Sequence, residues 1–429
     1  MRYRCVRCGR AADAMDGFIC SCGGTVEVEH TFPEVSLELF DHRLSSVEAP
    51  YSSGVWRYKE LVHPEINPTH IVTRPEGNTN LYRRRKVSEY TGIKNVSMKH
   101  EGENPTGSFK DRGMTVAISE AVRSGAVTVA CASTGNTSAS VAAYAAQAGL
   151  KAVVFVPEGE ISIGKLSQAL AYGAKVIQVK GLFDDAMRII KESSRQLGLY
   201  VLNSLNPWRI EGQKSIVFEA LQQMRWSPPD WIVVPAGNLG NTSAFGKALK
   251  ELKQLGLLEK VPRIASVQAE GANPFYRLWR GKHNRLEAVE AHTLASAIQI
   301  GNPVSWMKAL ESIRFTDGEV EQVSDAEILD AKAVVDATGV GCEPASAASV
   351  AGARKLAEQG VIDRDEEVLC VLTGNLLKDP DTTVRYHMGK LPMAATRANK
   401  LVAVEPDIGS IEEALHTPSP LSLLRESGE

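Results

Sequence analysis

The chain has 429 residues, of which 43% are hydrophobic and 23% charged, an ordinary composition for a globular protein of two or three domains. Its net charge of −3 excludes the strongly basic surface typical of nucleic-acid-binding proteins. No apolar run approaches the ~20 residues that a membrane helix needs. The start, MRYRCVRCGR, lacks the apolar core of a signal peptide. We therefore expect a cytoplasmic protein.

Four of the seven cysteines lie near the N-terminus, spaced as Cys5-x2-Cys8-x11-Cys20-x-Cys22. Two close cysteine pairs at this separation predict a zinc ribbon with four thiolate ligands, although the second pair is CxC rather than CxxC. Residues 1–30 are too few to hold a core alone, so a structural Zn²⁺ would supply the missing folding energy. The alternative is four reduced cysteines without a metal. The other three cysteines stand among apolar residues and are predicted to be packed thiols, as in a reducing cytoplasm: Cys131, Cys342 and Cys370.

Residues 104–113 read NPTGSFKDRG, after a strand predicted at 95–100 and before a helix predicted at 114–122. The Asn-Pro-Thr-Gly part is turn chemistry. Lys110 therefore lies at a strand–turn–helix junction, near a helix N-terminus whose free N–H groups disfavour a neighbouring ammonium. Such a lysine loses its proton more easily, as an imine-forming amine requires. An ordinary solvated lysine is the alternative that this segment alone leaves open.

From residue 95 onward, short β-branched runs alternate with longer helical patterns. Strands are predicted at 128–133, 151–157, 174–181, 231–237, 263–270 and 367–374, and one of the intervening helices at 184–198. This alternation predicts an α/β fold of parallel βαβ units with helices on both sheet faces. Such sheets bind ligands in the loops that follow the carboxyl ends of their strands.

The loop after the strand at 128–133 reads Ser-Thr-Gly-Asn-Thr-Ser over residues 133–138 and runs into a helix. Hydroxyls and an amide at a helix N-terminus predict a surface that binds a carboxylate or a phosphate. Plain N-capping is the alternative, but a cap needs only one such residue. This loop has five polar side chains in six positions.

Three other loops carry polar groups in the same setting. The glycine-rich segment 237–241 can cradle a phosphate with backbone N–H groups, although a tight turn would have the same composition. Asn203, Ser204 and Arg209 follow a strand near residue 200 and could hold a second phosphate, since the guanidinium fork matches two oxygens. Thr373 ends a buried strand, where its hydroxyl could bond a ring nitrogen or cap the next turn.

Together these segments resemble the fold-type-II pyridoxal-phosphate enzymes, and within them the threonine synthase family. The resemblance covers about residues 70–385 and rests on several long strings in the right order: NPTGSFKDRGM, ASTGNTSAS, YGAKVIQVKG, NSLNPWRIEGQKS, GNLGN and LTGNLLKDP. It implies two open, parallel-rich sheets flanked by helices. The implied units are a zinc-ribbon-like segment at 1–30, a large domain at 45–110 and 206–385, a small α/β domain at 111–205, and a C-terminal tail at 386–429.

The resemblance also implies roles for individual residues. Lys110 would carry pyridoxal 5′-phosphate as a Schiff base, Asn136 would hydrogen-bond its 3′-hydroxyl, and Thr373 would contact its pyridine nitrogen. The glycine-rich loop would cradle the cofactor phosphate through Gly237, Asn238, Leu239, Gly240 and Asn241. The substrate phosphate would be held by Thr137, Asn203, Ser204 and Arg209, and its carboxylate by residues 133–137, including Ser133 and Thr134. Relatives are commonly homodimers.

The implied reaction is γ-elimination of phosphate from O-phospho-L-homoserine, followed by water addition at the β-carbon to give L-threonine. A neutral hydroxyl at the pyridine nitrogen makes the ring a weaker electron sink than an aspartate would, which favours elimination. The chain departs from the family pattern at 75–81, at Leu239 and at Asn375-Leu376, and the last departure borders the cofactor ring. Three alternatives remain: β-replacement on O-phosphoserine, as in cysteate synthase; a threonine or serine dehydratase; and a catalytically silent relative whose zinc ribbon binds a partner.

Overall fold

The computed structural model of this protein describes residues 1–12, 18–158, 163–180, 194, 196–281 and 285–416. Within these residues the strands form three sheets, of three, six and four strands. The two larger sheets are parallel except at one edge, and helices flank them. The predicted α/β fold with parallel-rich sheets and a small N-terminal unit is confirmed.

The N-terminal sheet is small and antiparallel, with the order β2-β1-β3. Its strands are β1 Arg2–Cys5, β2 Ala11–Ala12 and β3 Val26–Glu29. The inward side chains of β1 and β3 are buried, and Tyr3 packs edge-on against Trp208 of the larger body. The indole nitrogen of Trp208 also donates a 3.1 Å hydrogen bond to the Tyr3 hydroxyl. The small sheet is therefore anchored on the body by a shared aromatic contact.

The six-stranded sheet has the order β12-β11-β10-β13-β5-β4, and only β4 runs antiparallel to its neighbour. Its strands are β4 Leu81–Arg83, β5 Asn95–His100, β10 Trp231–Pro235, β11 Arg263–Ala269, β12 Glu319–Val323 and β13 Glu367–Leu372. The central strands are buried on both faces, as their largely apolar runs predict. The strands at the two edges, β4 and β12, were not predicted, because both are short and carry polar residues.

The four-stranded sheet is wholly parallel, with the order β8-β7-β6-β9. Its strands are β6 Thr128–Ala132, β7 Lys151–Pro157, β8 Lys175–Val179 and β9 Leu199–Val201. The sequence places each of these strands within two residues of its observed position. The helix predicted at 184–198 lies mostly outside the described residues.

The described α-helices, numbered in chain order, connect and cover these sheets. They are α1 Leu37–Arg43, α2 Lys59–Val62, α3 Arg85–Thr91, α4 Lys110–Arg123, α5 Asn136–Ala148, α6 Ile163–Ala171, α7 Pro207–Gln213, α8 Ser215–Gln223, α9 Gly240–Gln254, α10 Pro274–Gly281, α11 Trp306–Phe315, α12 Asp325–Asp336, α13 Pro344–Glu358, α14 Pro380–His387 and α15 Ile408–His416. None of the helices in the described ranges is long and apolar enough to span a membrane. The cysteines predicted as packed thiols are buried: Cys131, Cys342 and Cys370.

The chain after β13 returns to the body before it becomes exposed. Tyr386 and Leu391 are buried against Leu329 of α12. Beyond them, α15 has no buried residue, and Ile408 and Leu415 project into solvent. Residues 417–429, the end of the predicted tail, fall outside the described part.

Candidate active site

The predicted turn before Lys110 pairs with the end of β13. Ser108 forms an antiparallel bridge with Gly374, and the Phe109 N–H donates a 3.0 Å hydrogen bond to the Thr373 carbonyl. The Asn375 N–H donates to the Gly107 carbonyl at 2.9 Å. This pairing brings Lys110 beside Thr373, although more than 260 residues separate them in sequence. Helix α4 begins at Lys110 itself, a little earlier than predicted.

Burial and charge act together on the Lys110 ammonium. Desolvation, reinforced by the nearby Arg209 guanidinium, lowers the pKa of Lys110 to about 7, and the Glu343 carboxylate opposes this shift. The side chain lies against the Phe109 ring, with Nζ 3.8 Å from the ring centre. The lysine is therefore held half-neutral near physiological pH, as a nucleophilic amine requires.

The pKa of Lys110 predicts how its reactivity depends on pH. Only the neutral amine attacks an electrophile, so acylation of Lys110 in cofactor-free protein should rise with pH and level off above about 8. An ordinary lysine, with a pKa of roughly 10.4, should still react faster as the pH rises to 10. Peptide mass spectrometry after a short pulse of an amine-directed reagent measures both rates. An acylation rate for Lys110 that climbs steadily to pH 10 would contradict the lowered pKa.

Glu343, a residue that sequence reasoning missed, lies between two predicted cofactor ligands. The amide nitrogen of Asn136 donates to both of its carboxylate oxygens, at 3.0 and 3.2 Å. The Thr373 hydroxyl donates to the same carboxylate at 3.4 Å. Gly374 leaves room for it, because a Cβ there would lie 2.5 Å from the Glu343 carboxyl carbon. The only signal in the sequence was a Glu-Pro pair at a helix start, which is too common to single out.

Ser346, also missed, contacts the Thr373 hydroxyl. Its oxygen accepts a 2.9 Å hydrogen bond from the Gly374 N–H and lies 3.0 Å from the Thr373 oxygen. Either hydroxyl can donate in this contact, and the Ser346 hydroxyl also lies 3.4 Å from the Gly374 carbonyl. The Thr373 hydroxyl can donate to an acceptor within the cleft, as it does to Glu343. Burial raises the pKa of Glu343. The Glu343 carboxylate is therefore a better acceptor than an ordinary one. A ring nitrogen of a bound ligand that displaced this carboxylate could accept the same hydrogen bond from Thr373.

The glycine-rich loop lies at the start of α9, as predicted. A Cβ at Gly237 would approach the Ile298 Cα to 3.0 Å, so only glycine fits there comfortably. Leu239 adopts a left-handed conformation with φ of 64°, which turns the chain into the helix. The N–H groups of Gly240 and Asn241 lie in the first turn, where a helix offers them no acceptor. The side-chain Oδ1 of Asn241 is buried, with no hydrogen-bond partner among the described residues. The backbone N–H groups of this turn suit an anion, whereas the Asn241 Oδ1 needs a hydrogen-bond donor.

Arg209, on α7, is 4% exposed, and burial lowers the pKa of its guanidinium to about 10. One of its nitrogens donates to the Leu202 carbonyl at 3.1 Å, and its buried Nε has no partner among the described residues. A buried guanidinium without a carboxylate is costly unless an anionic ligand completes it. Nearby, the Asn203 amide bonds both backbone groups of Ala132, at 2.9 and 3.0 Å, and retains one N–H for a ligand.

The loop at 133–138 brings the remaining predicted residues to the same cleft. Asn136 is the first residue of α5, and its contact with Glu343 joins the two larger sheets across the cleft. The Ser133 hydroxyl accepts from the Gly135 N–H at 3.2 Å, and the Ser138 hydroxyl donates to the Gly135 carbonyl at 2.7 Å. These bonds shape the loop. The other predicted ligands here and in the next loop are half-buried: Thr134, Thr137 and Ser204.

The departures from the family pattern after Thr373 have structural roles. The Asn375 side chain accepts from the Leu377 N–H at 3.0 Å and donates to the Gly102 carbonyl at 3.3 Å. The Leu376 side chain packs close to Gly341, with 3.4 Å between its Cβ and the position of a Cβ on the glycine. Both side chains therefore pack and cap the turn beside the cleft.

The four N-terminal cysteines form a second cluster, on the N-terminal sheet. Their sulfur atoms all lie within 4.8 Å of one another: Cys5, Cys8, Cys20 and Cys22. The sulfurs of Cys5 and Cys22 are 3.5 Å apart, and those of Cys8 and Cys20 are 3.7 Å apart. A zinc tetrahedron with bonds of roughly 2.3 Å has edges of roughly 3.8 Å. The donor set and its spacing therefore fit a structural zinc ion.

Comparison with known proteins identifies the class to which this chain belongs. Residues 72–374 match the family of pyridoxal-phosphate dependent enzymes, which is the class of protein that the fold and the lysine-bearing cleft define. A threonine synthase from Methanocaldococcus jannaschii is 45% identical over 388 residues, which cover 90% of this chain and 95% of the relative. One from Methanosarcina acetivorans is 46% identical over 386 residues, which cover 89% and 93%.

The crystal structure of threonine synthase from Escherichia coli has the same fold, with a TM-score of 0.70 at 21% identity over 97% of this chain and 99% of that one. At this identity the likeness concerns the fold alone. The sequence relatives carry the family assignment, since they are far more similar over nearly their whole length. The chain belongs to the threonine synthase family of pyridoxal-phosphate-dependent enzymes.

Proposed function

We propose that this protein converts O-phospho-L-homoserine and water to L-threonine and inorganic phosphate. The observation that carries the proposal is Arg209, a buried guanidinium that has no carboxylate partner among the described residues. It lies in the same cleft as a lysine with a lowered pKa. A phosphorylated substrate supplies the anion that Arg209 lacks. The names of the sequence relatives support the same reaction.

The residues of the cleft fit pyridoxal 5′-phosphate. The N–H groups in the first turn of α9 suit its phosphate, whereas the buried Oδ1 of Asn241 can only accept a hydrogen bond from a donor. Lys110 is the amine that would bind it covalently, and the Thr373 hydroxyl, which donates to Glu343 at 3.4 Å, would donate to its ring nitrogen. Asn136 would face its 3′-oxygen, with Glu343 fixing the amide from behind. When bound, the cofactor supplies an electron sink for the carbanions of the reaction.

The residues of the chain would bind the substrate, orient it and move protons. Arg209, with Thr137, Asn203 and Ser204, would hold the substrate phosphate, and Ser133 with Thr134 its carboxylate. Lys110, whose pKa lies near 7, can accept a proton at one carbon and return it at another. The γ-carbon–oxygen bond breaks as phosphate leaves with the bonding pair. The water oxygen then bonds the β-carbon, and its proton is passed on within the site.

A turnover assay on cofactor-loaded protein tests the proposal. We expect phosphate and L-threonine in equal amounts from O-phospho-L-homoserine. We expect no 2-oxobutanoate from L-threonine, because a dehydratase substrate offers Arg209 no phosphate. Turnover of O-phospho-L-serine alone, with or without sulfite, would instead assign the cleft to β-replacement. A protein that binds cofactor but transforms none of these substrates would support a catalytically silent relative.

Removal of the Arg209 charge should weaken substrate far more than cofactor. For Arg209→Ala we expect kcat/KM for O-phospho-L-homoserine to fall roughly 30- to 1,000-fold, because a desolvated phosphate loses its charged partner. Cofactor affinity should change little. Arg209→Lys keeps the charge without the fork, so its loss should be intermediate. Steady-state kinetics and cofactor titration measure the two effects, and equal losses in both would place Arg209 at the cofactor instead.

We propose that the four-cysteine cluster binds one structural Zn²⁺ per chain. Chelation should then unfold the N-terminal sheet and separate Tyr3 from Trp208, because the sheet has few other buried side chains. Tryptophan fluorescence, metal analysis and N-terminal proteolysis report the change. Cys8→Ser should behave like chelation, whereas Cys370→Ser, a buried thiol outside the cluster, should keep the zinc. Purified protein free of zinc but resistant to proteolysis would refute the metal.

We also propose a cytoplasmic homodimer. The exposed apolar side chains of the C-terminal segment support a subunit contact there: Leu401, Val402, Val404, Ile408, Ile411 and Leu415. Analytical ultracentrifugation of the full chain and of a variant ending at residue 400 tests this. A dimer that persists without the segment would place the interface elsewhere.

A further inference from the structure

A cavity distinct from the cleft lies where the N-terminal sheet meets the body. It is bounded by β3 on one side and by α7, α9 and α11 on the other, and it encloses about 600 Å³ including its open mouth. No predicted site residue lines the cavity, so it has no role in the reaction described above.

Lys308 is a buried cation on the wall of this cavity. It is 8% exposed, and its ammonium donates one long hydrogen bond, 3.4 Å, to the Val26 carbonyl. No ion pair among the described residues includes it. The other lysines buried here differ, because Lys214 and Lys247 each contact Glu211 at 2.5–2.6 Å. An ammonium buried without a carboxylate is costly, and a ligand that completes its hydrogen bonds would remove that cost.

Glu27 of β3 lines the same cavity as an anion. It is half-buried, and within the described ranges it has neither an ion pair nor a hydrogen bond from its side chain. Burial lowers the pKa of Lys308 to about 8, and the Glu27 charge opposes that shift, so the two groups are near each other. They nevertheless form no direct ion pair. Opposite charges that face one cavity without touching leave space for a molecule that carries both charges.

The charges around the cavity favour a zwitterion over a simple anion. The pairs among Lys214, Lys247, Glu211 and Glu251 balance one another. Two cations and two anions of the lining remain: Lys250, Lys308, Glu27 and Glu311. A phosphate would meet the repulsion of both carboxylates. A ligand with one carboxylate and one ammonium suits the whole lining.

The same cavity has an apolar part. Ile210 of α7 and Phe315 of α11 line it beside the charged groups, and Phe315 is 41% exposed at its mouth. A large exposed aromatic beside a polar pocket is typical of a surface that a ligand covers. We propose that this cavity binds a small apolar α-amino acid, with its carboxylate on Lys308, its ammonium on Glu27 and its side chain against Ile210 and Phe315.

The cavity is lined by helices that also carry residues of the active-site cleft. The helix that carries Ile210 and Glu211 also carries Arg209, which faces the cleft. The helix that carries Lys247 begins at the glycine-rich loop. An amino acid in the cavity therefore contacts two helices whose other residues hold the anion sites of the cleft. The site itself does not depend on the proposed reaction, since it contains none of the cleft residues.

Calorimetric titration of the full-length, cofactor-loaded protein with L-valine, L-isoleucine and L-methionine tests the proposal. We expect one saturable site per chain for at least one of them. Lys308→Met should weaken that binding by roughly 30-fold or more, because the ligand carboxylate loses its buried cationic partner. Lys308→Arg should retain it. Lys253→Met, on the exposed side of α9, is the matched control and should bind as wild type does.

Two readouts distinguish an amino acid bound in this cavity from one bound in the cleft and from a bound simple anion. Cofactor absorbance should stay constant through the titration, because an amino acid in the cleft would alter it. Glu27→Gln should weaken L-valine but leave the weaker binding of 3-methylbutanoate, its analogue without the amine, unchanged. Absorbance that follows the heat, equal affinity for 3-methylbutanoate or inorganic phosphate, or no saturable binding of the three amino acids would each overturn the proposal.

Discussion

Replacement of Lys110 by alanine should lower turnover of O-phospho-L-homoserine by roughly 10²–10⁴-fold or more while the protein stays folded. Lys110 is the first residue of α4, and the other lysines near this junction, Lys99 and Lys378, donate instead to Glu219 and Gln168. The described residues form no ion pair with Lys110, and its removal leaves no buried carboxylate without its only partner. Steady-state kinetics should show the loss, and circular dichroism should show an unchanged fold.

Two controls separate the amine from the charge and from general damage. Lys110→Arg keeps a cation beside Phe109 but offers no nucleophilic amine, so it should be as inactive as the alanine variant. Lys151→Ala, at the exposed start of β7, should match wild type. Absorbance of the bound cofactor gives a readout independent of turnover and should change in both Lys110 variants. Wild-type turnover in Lys110→Ala would show that another lysine serves the cofactor.

The sequence predicted the parts of the fold that local pattern determines. The strands β6, β7, β10 and β13 are short, largely apolar runs that contain β-branched residues and are followed by turns, and such runs are typical of the buried strands of parallel sheets. The Cys-x2-Cys and Cys-x-Cys pairs likewise have a spacing typical of a compact cluster. These features are written into a few consecutive residues, so a single sequence shows them.

Groups that act through distant partners could not be predicted in this way. Glu343 matters because Asn136 and Thr373 donate to it, and nothing in the residues beside it records those contacts. Ser346 is one serine among several in an alanine-rich helix until its oxygen is found between Gly374 and Thr373. That none of the described carboxylates pairs with Lys308 is likewise a property of the folded protein. Tertiary hydrogen bonds carry this information, not periodicity or spacing.

The support beneath Lys110 is another such tertiary feature. Arg112, two residues later on α4, is fully buried and donates to both oxygens of Glu101, at 2.6 and 2.8 Å. It also donates to Glu219 at 2.7 Å, and Lys99 donates to the same carboxylate at 2.6 Å. Although burial acts to raise it, the pKa of Glu219 is held well below its usual range by these two cations. The four charges balance, so the cluster costs little while it is complete.

Arg112→Met should therefore destabilise the protein by about 3–5 kcal/mol, because it leaves two buried carboxylates with one cation. Urea unfolding of the cofactor-loaded protein measures the loss. Arg85→Met, which breaks an exposed pair with Glu89, should cost less than about 1 kcal/mol. Adding Glu101→Gln to Arg112→Met removes the excess negative charge and should restore part of the stability. An Arg112→Met protein as stable as wild type would show that the cluster does not hold α4, and hence Lys110, in place.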